Sequence, residues 1–129
     1  MKVLLDTHVW LWSVVSPARI VPAVREVLEN PDNALILSVA SSWEIAIKYR
    51  LGKLDLPEPP ATFIEPRLVR DGIESLPIEH RHACRVAQLP DHHRDPFDRL
   101  LVAVAQLESL TLATTDSALE HYDVPLLMT

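Results

Sequence analysis

Four acids stand at places where a fold could turn carboxylates into chemistry. Asp6 directly follows Val3-Leu4-Leu5, and Asp116 follows Thr111-Leu112-Ala113-Thr114-Thr115, so each falls at the end of a candidate strand and precedes a helical stretch. Asp98 lies in Arg94-Asp95-Pro96-Phe97-Asp98, where proline suits the first helical position, makes Asp95 the N-cap and puts Asp98 in the first turn. Glu44 falls in Ser41-Ser42-Trp43-Glu44-Ile45-Ala46-Ile47-Lys48, which reads as the first turn of another, largely buried helix. In an open parallel sheet the carboxyl ends of the strands share one edge, and ligands bind there where the strand order reverses. Carboxylates gathered on that edge repel one another unless protons or cations intervene. Hard divalent ions favour oxygen ligands, and such an ion can activate water and stabilise phosphoryl charge in an in-line displacement. These residues therefore point to metal-dependent phosphodiester hydrolysis.

Each acid also has a local structural use. Asp6 and Asp116 are of a type favoured at helix N-caps, although Ser117 and Glu120 offer a competing capping box beside Asp116. Asp95 and Asp98 both gain from the positive end of a helix dipole, typically by about 0.3–1 kcal/mol; capping is preferred for Asp95 and a site role for Asp98. Glu44 can pair with Lys48 one turn on, worth about 0.2–0.5 kcal/mol, and a carboxylate among apolar neighbours needs such a partner. Capping accounts for the acids one at a time. It does not account for their shared edge.

The elements that must place them follow from apolar runs alternating with helical periodicity, the pattern of crossover units in a parallel sheet. Strands are expected over residues 2–5, 34–37, 73–76, 111–113 and 125–128. Helices are expected over 7–15, 22–30, 42–51, 60–70, 79–88, 96–109 and 117–121, with a proline-rich connector at 54–60. In the 96–109 helix, Phe97, Leu100, Leu101, Val104 and Ala105 follow the spacing of one buried face. The chain has 129 residues, 48% of them apolar, enough for the core of one domain spanning 1–129. The expected class is α/β, a three-layer α/β/α arrangement around a mainly parallel sheet.

Other chemistries find little support. Gly52 and Gly72 are the only glycines and lie far apart, so no phosphate-cradling glycine loop can be written. Cys84, the only cysteine, excludes an internal disulfide and a cysteine-based zinc cluster, fits a reducing cytoplasm, and reads as a packing residue rather than a nucleophile. His80 and His82 point apart on a helix, His92-His93 falls in a polar loop, and solvated histidines are the default for all of them. Ser41 and Ser42 lack a nucleophile elbow. Trp10 and Trp12 suit packing better than base stacking. The N-terminus reaches a charge before any signal-like apolar stretch, and no run approaches the roughly 20 apolar residues of a membrane span. The net charge of −6 argues against a generic polyanion binder, leaving Lys48, Arg50, Lys53, Arg94 and Arg99 as local candidates for holding a phosphate backbone.

The motifs Leu4-Leu5-Asp6-Thr7-His8, Ser42-Trp43-Glu44-Ile45-Ala46-Ile47-Lys48, Asp95-Pro96-Phe97-Asp98-Arg99-Leu100-Leu101 and Thr114-Thr115-Asp116 run in order along nearly the whole chain. In them the sequence resembles the PIN-domain ribonucleases, specifically the VapC-type toxins of bacterial and archaeal type II toxin-antitoxin pairs. The resemblance implies a parallel sheet and a Mg²⁺ or Mn²⁺ site formed by Asp6, Glu44, Asp98 and Asp116 that cleaves single-stranded regions of RNA. Asp6 with Asp98 or Asp116 would ligate the ion, and Glu44 would orient or deprotonate the attacking water. Asp95 is an extra acid that either serves the ion or only caps its helix. The resemblance also implies a homodimer and a cognate VapB-like antitoxin whose C-terminal segment covers the site.

Three other readings stand beside it. A haloacid-dehalogenase-like phosphatase also begins with an aspartate after its first strand but needs D-x-D, where this sequence has Asp6-Thr7-His8. A receiver domain needs paired acids there and a lysine near the last strand, which 123–129 lacks. The non-enzymatic alternative is an α/β interaction module whose acids only cap helices.

Overall fold

A computed structural model describes residues 1–129. Its strands are β1 (Lys2–Leu5), β2 (Ala34–Ser38), β3 (Glu74–Leu76), β4 (Thr111–Thr114) and β5 (Leu126–Met128). The α-helices are α1 (Thr7–Val15), α2 (Pro22–Glu29), α3 (Val39–Arg50), α4 (Pro60–Asp71), α5 (His80–Arg85) and α6 (Pro96–Glu108). All strand pairs are parallel, in the order β3-β2-β1-β4-β5. The chain builds outward from β1 to β3 and then crosses back to lay β4 on β1's other side. The strand order therefore reverses between β1 and β4, where the Asp6 N–H donates to the Ala113 carbonyl at 2.9 Å.

β1 is buried on both faces, as its unbroken Val3-Leu4-Leu5 run requires. Alternation then divides the core in two. Leu4, Ile36 and Leu112 pack with Leu101, Val104 and Ala105 of α6. Val3, Leu5, Leu37 and Ala113 pack with Trp10 of α1, Ile45 of α3 and Phe63 of α4, where Trp10 and Phe63 meet edge-to-face at 5.8 Å. The expected three-layer α/β/α fold is what forms, with a sheet that is wholly parallel. No helix is long and apolar enough to cross a membrane.

The differences from expectation lie at boundaries. α3 begins at Val39, because the Ser38 hydroxyl caps it by accepting the Ala40 N–H at 3.1 Å, and β2 runs into the helix without a loop. Glu44 thus sits in the second turn, not the first. The 79–88 helix breaks into α5 and a 3₁₀ turn at Val86–Gln88, and Ser117–His121 is likewise 3₁₀; the 3₁₀ turn at Pro17–Arg19 was not foreseen. α6 is buried more widely than its periodic stripe, since Val102 and Ala103 are also covered while Phe97 and Leu100 are half-buried. It is wedged between the sheet, α3 and α5, so two of its flanks are covered.

Candidate active site

Asp6 ends β1 and caps α1: one carboxylate oxygen accepts the Val9 N–H at 2.7 Å, and the other faces the Thr115 N–H at 3.3 Å, beyond the end of β4. It is only 4% exposed. Burial pushes its carboxyl above the ordinary value, against hydrogen bonds from Thr114, Val9 and Thr115 that favour the anion. Asp116, one residue past Thr115, caps the 3₁₀ turn at Ser117–His121 by accepting the Ala118 N–H at 2.9 Å through Oδ1. The Ser117–Glu120 capping box does not form, because Asp116 already fills the cap and Ser117 lies inside the turn.

On α6, Asp95 caps the helix by accepting the Phe97 N–H at 2.9 Å, as its place before Pro96 suggests. Asp98 lies one turn in and is half-buried. Its carboxyl is pushed up to about 7, first by burial and then by the charge of Asp95; Asp6 and Glu44 add to the push and His93 opposes it.

A cavity of about 370 Å³ opens between these acids. Asp6, Asp95, Asp98 and Asp116 line it together with His8, His93, Thr115 and Ser117, and no hydrophobic side chain enters. Three of the four expected site acids thus share one space. Glu44 does not line it. Buried at 3% exposure, its carboxylate is held by Lys48 Nζ at 2.5 Å and the Thr7 hydroxyl at 2.6 Å. His8, where a phosphatase would need its second acid, is exposed at the cavity instead.

The residue that sequence reasoning missed is His93. Far from being a solvated loop histidine, it places Nε2 2.6 Å from Asp116 Oδ2 and 3.2 Å from Asp98 Oδ2, while Nδ1 accepts the Asp95 N–H at 2.9 Å. The only available signal was its position two residues before the cap of the helix that carries Asp98. His82 also departs from expectation: it is fully buried, with Nδ1 accepting the Glu79 N–H and Nε2 bonded to Glu108 at 2.8 Å. Glu79, His82 and Glu108 form a compact set, but with both ring nitrogens engaged and Arg81 on both glutamates, it is a closed latch between α5 and α6. Cys84 is exposed rather than packed. Arg99 is not free for phosphate: its guanidinium donates to the carbonyls of Pro90 at 2.9 Å and Val86 at 3.0 Å. Arg50, Lys53 and Arg94 are exposed.

The donor set of the cavity suits a hard divalent cation. It comprises four carboxylates, the imidazoles of His8 and His93 and the hydroxyls of Thr115 and Ser117, and the ligand atoms of His93, Asp98 and Asp116 lie within 4.8 Å of one another. A carboxyl held near 7, first by burial and then by neighbouring negative charge, marks a site short of positive charge.

Comparison with known proteins bears on family and fold. The PIN domain family model matches residues 3–125. Ribonuclease VapC16 of Mycobacterium tuberculosis is 47% identical over 58 residues, a match covering 45% of this chain and 41% of that protein. Ribonuclease VapC22 of the same organism is 27% identical over 125 residues, 95% of this chain and 93% of the relative. Among solved structures, VapBC2 from Rickettsia felis bound to a promoter DNA fragment superposes with a TM-score of 0.74 at 17% identity, covering 100% of this chain and 99% of that one. VapBC-5 of M. tuberculosis, a member of a toxin-antitoxin family, gives 0.61 at 20%, covering 99% and 98%. At such identities the likeness is one of fold.

Proposed function

The chain belongs to the PIN-domain family, and on that premise we propose that it is a metal-dependent endoribonuclease, the toxin of a type II toxin-antitoxin pair, acting on RNA in the cytoplasm. The observation that carries the reading is the single polar cavity at the reversal of strand order, where Asp6, Asp98 and Asp116 arrive from three separate elements. Asp6, Asp98 and Asp116 are the acids that would hold Mg²⁺ or Mn²⁺, with Glu44 as the fourth member of the set. When bound, such an ion offsets the carboxylate charge, activates water and stabilises the phosphoryl group under attack.

The chain's own residues supply orientation. The Val9 and Thr115 amides fix the Asp6 carboxylate in place at the end of β1. The Ala118 amide occupies one oxygen of Asp116, and the other lies against His93 Nε2. Glu44, held by Thr7 and Lys48 next to the cavity, would serve as the acceptor that orients the attacking water's proton. Relatives are named ribonucleases, and fold neighbours were solved as toxin-antitoxin complexes. The partners proposed are accordingly an RNA with unpaired segments, a VapB-like antitoxin and a second copy of this chain.

The test is incubation of the purified protein with a structured RNA in Mg²⁺, in Mn²⁺ and in chelator, alongside Asp98→Asn and Asp6→Asn. Cleavage in metal alone, lost in both variants, is the expected result. Cleavage that survives chelator, or that Asp98→Asn leaves intact, would overturn the mechanism.

A further inference from the structure

His93 stands between two acids of the proposed metal site, and its own surroundings fix what it can do there. The loop that carries it is tied down by Arg99, bonded to the carbonyls of Pro90 and Val86. The Asp95 N–H points at Nδ1, so that nitrogen is an acceptor and the ring's proton resides on Nε2. That one N–H is bonded to Asp116 Oδ2 at 2.6 Å, and Asp98 Oδ2 lies 3.2 Å from the same nitrogen, so the ring stands between the end of β4 and the start of α6. Asp116 Oδ1 is already engaged in capping, which leaves Oδ2 as the oxygen Asp116 can offer a cation. His93 and a cation thus need the same atom. Nor can His93 join as a ligand where it stands: freeing Nε2 would move the proton to Nδ1, against the Asp95 N–H.

We propose that His93 is a positioning residue that holds the place of the metal, its Nε2–H binding Asp116 beside Asp98 when no ion is present and releasing it when one arrives. His93 then competes with the ion, and it spares the empty site part of its carboxylate repulsion. The inference rests on the metal site of the proposed function, but it is read without RNA.

Two measurements on the full chain decide it. By calorimetry, His93→Ala should bind Mn²⁺ about 3- to 10-fold more tightly than wild type, the scale of one net hydrogen bond. The same variant should melt a few degrees lower in chelator, and His93→Gln, which keeps an N–H donor, should return both quantities toward wild type. Weaker or unchanged Mn²⁺ binding by a folded His93→Ala overturns the inference. Should that variant fail to fold, the wild type still answers: in a Mg²⁺ titration followed by NMR, the His93 ring nitrogen signals should move as the ion saturates. Signals that stay fixed while Mg²⁺ binds overturn the inference alone. If the wild type takes neither ion, the proposed function falls and this inference with it.

Discussion

The Thr7 hydroxyl oxygen lies 2.6 Å from Glu44 Oε1 and 3.0 Å from the Ser41 hydroxyl, joining the first residue of α1 to the middle of α3. The Glu44 carboxylate can only accept, so Thr7 spends its one proton there and Ser41 donates to Thr7. A buried relay of this kind fixes the acid's rotamer from the residue next to Asp6.

Thr7→Val keeps the shape and removes the relay. Losing one partner of a buried carboxylate costs about 1–3 kcal/mol, so the urea midpoint should drop accordingly with an unchanged m-value. RNA cleavage should fall further than stability accounts for, because Glu44 is then free to turn. A variant as stable and active as wild type would show that the relay positions nothing.

Lys48→Met removes the cation opposite the same carboxylate. Glu44 is buried and Lys48 about a third exposed, so the loss falls mainly on Glu44, left with an uncompensated charge. Chemical denaturation should show a loss of about 1–3 kcal/mol. The double variant Lys48→Met, Glu44→Gln should recover much of it, and a failure to recover would count against the pair.

Asp98 sets a pH dependence in metal-free protein. Its unfolded carboxyl titrates near 3.8, while burial and the charge of Asp95 hold the folded one at about 7. The folded state thus binds the proton more tightly, and the stabilisation is complete below pH ~4 and is lost as pH rises through 7. Asp6, also raised by burial, adds in the same direction. In chelator the melting temperature should fall between pH 5 and 8, and Asp98→Asn should melt several degrees above wild type at pH 8. Saturating Mg²⁺ should narrow that gap; a flat profile would contradict the assignment.

Asp95 separates cap from charge. Asp95→Ala should destabilise by about 1 kcal/mol through loss of the bond to the Phe97 N–H. Asp95→Ser restores the cap without the charge, so stability should return while Asp98 titrates lower, visible as a downward shift in the metal-free melting profile. If both variants lose Mn²⁺ binding outright, Asp95 is a ligand as well as a cap.

The placement of Asp6, Asp95, Asp98 and Asp116 against their own strands and helices was legible in the sequence, because capping, proline at a first helical position and apolar runs are interactions among residues a few positions apart. Asp6 after β1, Asp116 after β4 and Asp95 as the cap of α6 all follow from such neighbours. The boundary of α3 did not, because Ser38 recruits the Ala40 N–H before any apolar periodicity begins.

Tertiary structure alone decided which of these ends meet. β4 could have joined either edge of the sheet; by pairing with β1 it brings Asp116 into the cavity with Asp6, over a hundred residues earlier. Contacts between distant elements likewise set His93 against Asp116, join Glu44 to Thr7, and bury His82 against Glu108. Local pattern fixes where a residue sits on its own element, whereas contacts between distant elements depend on strand order and core packing. A polar side chain such as His93 leaves no periodic trace of either.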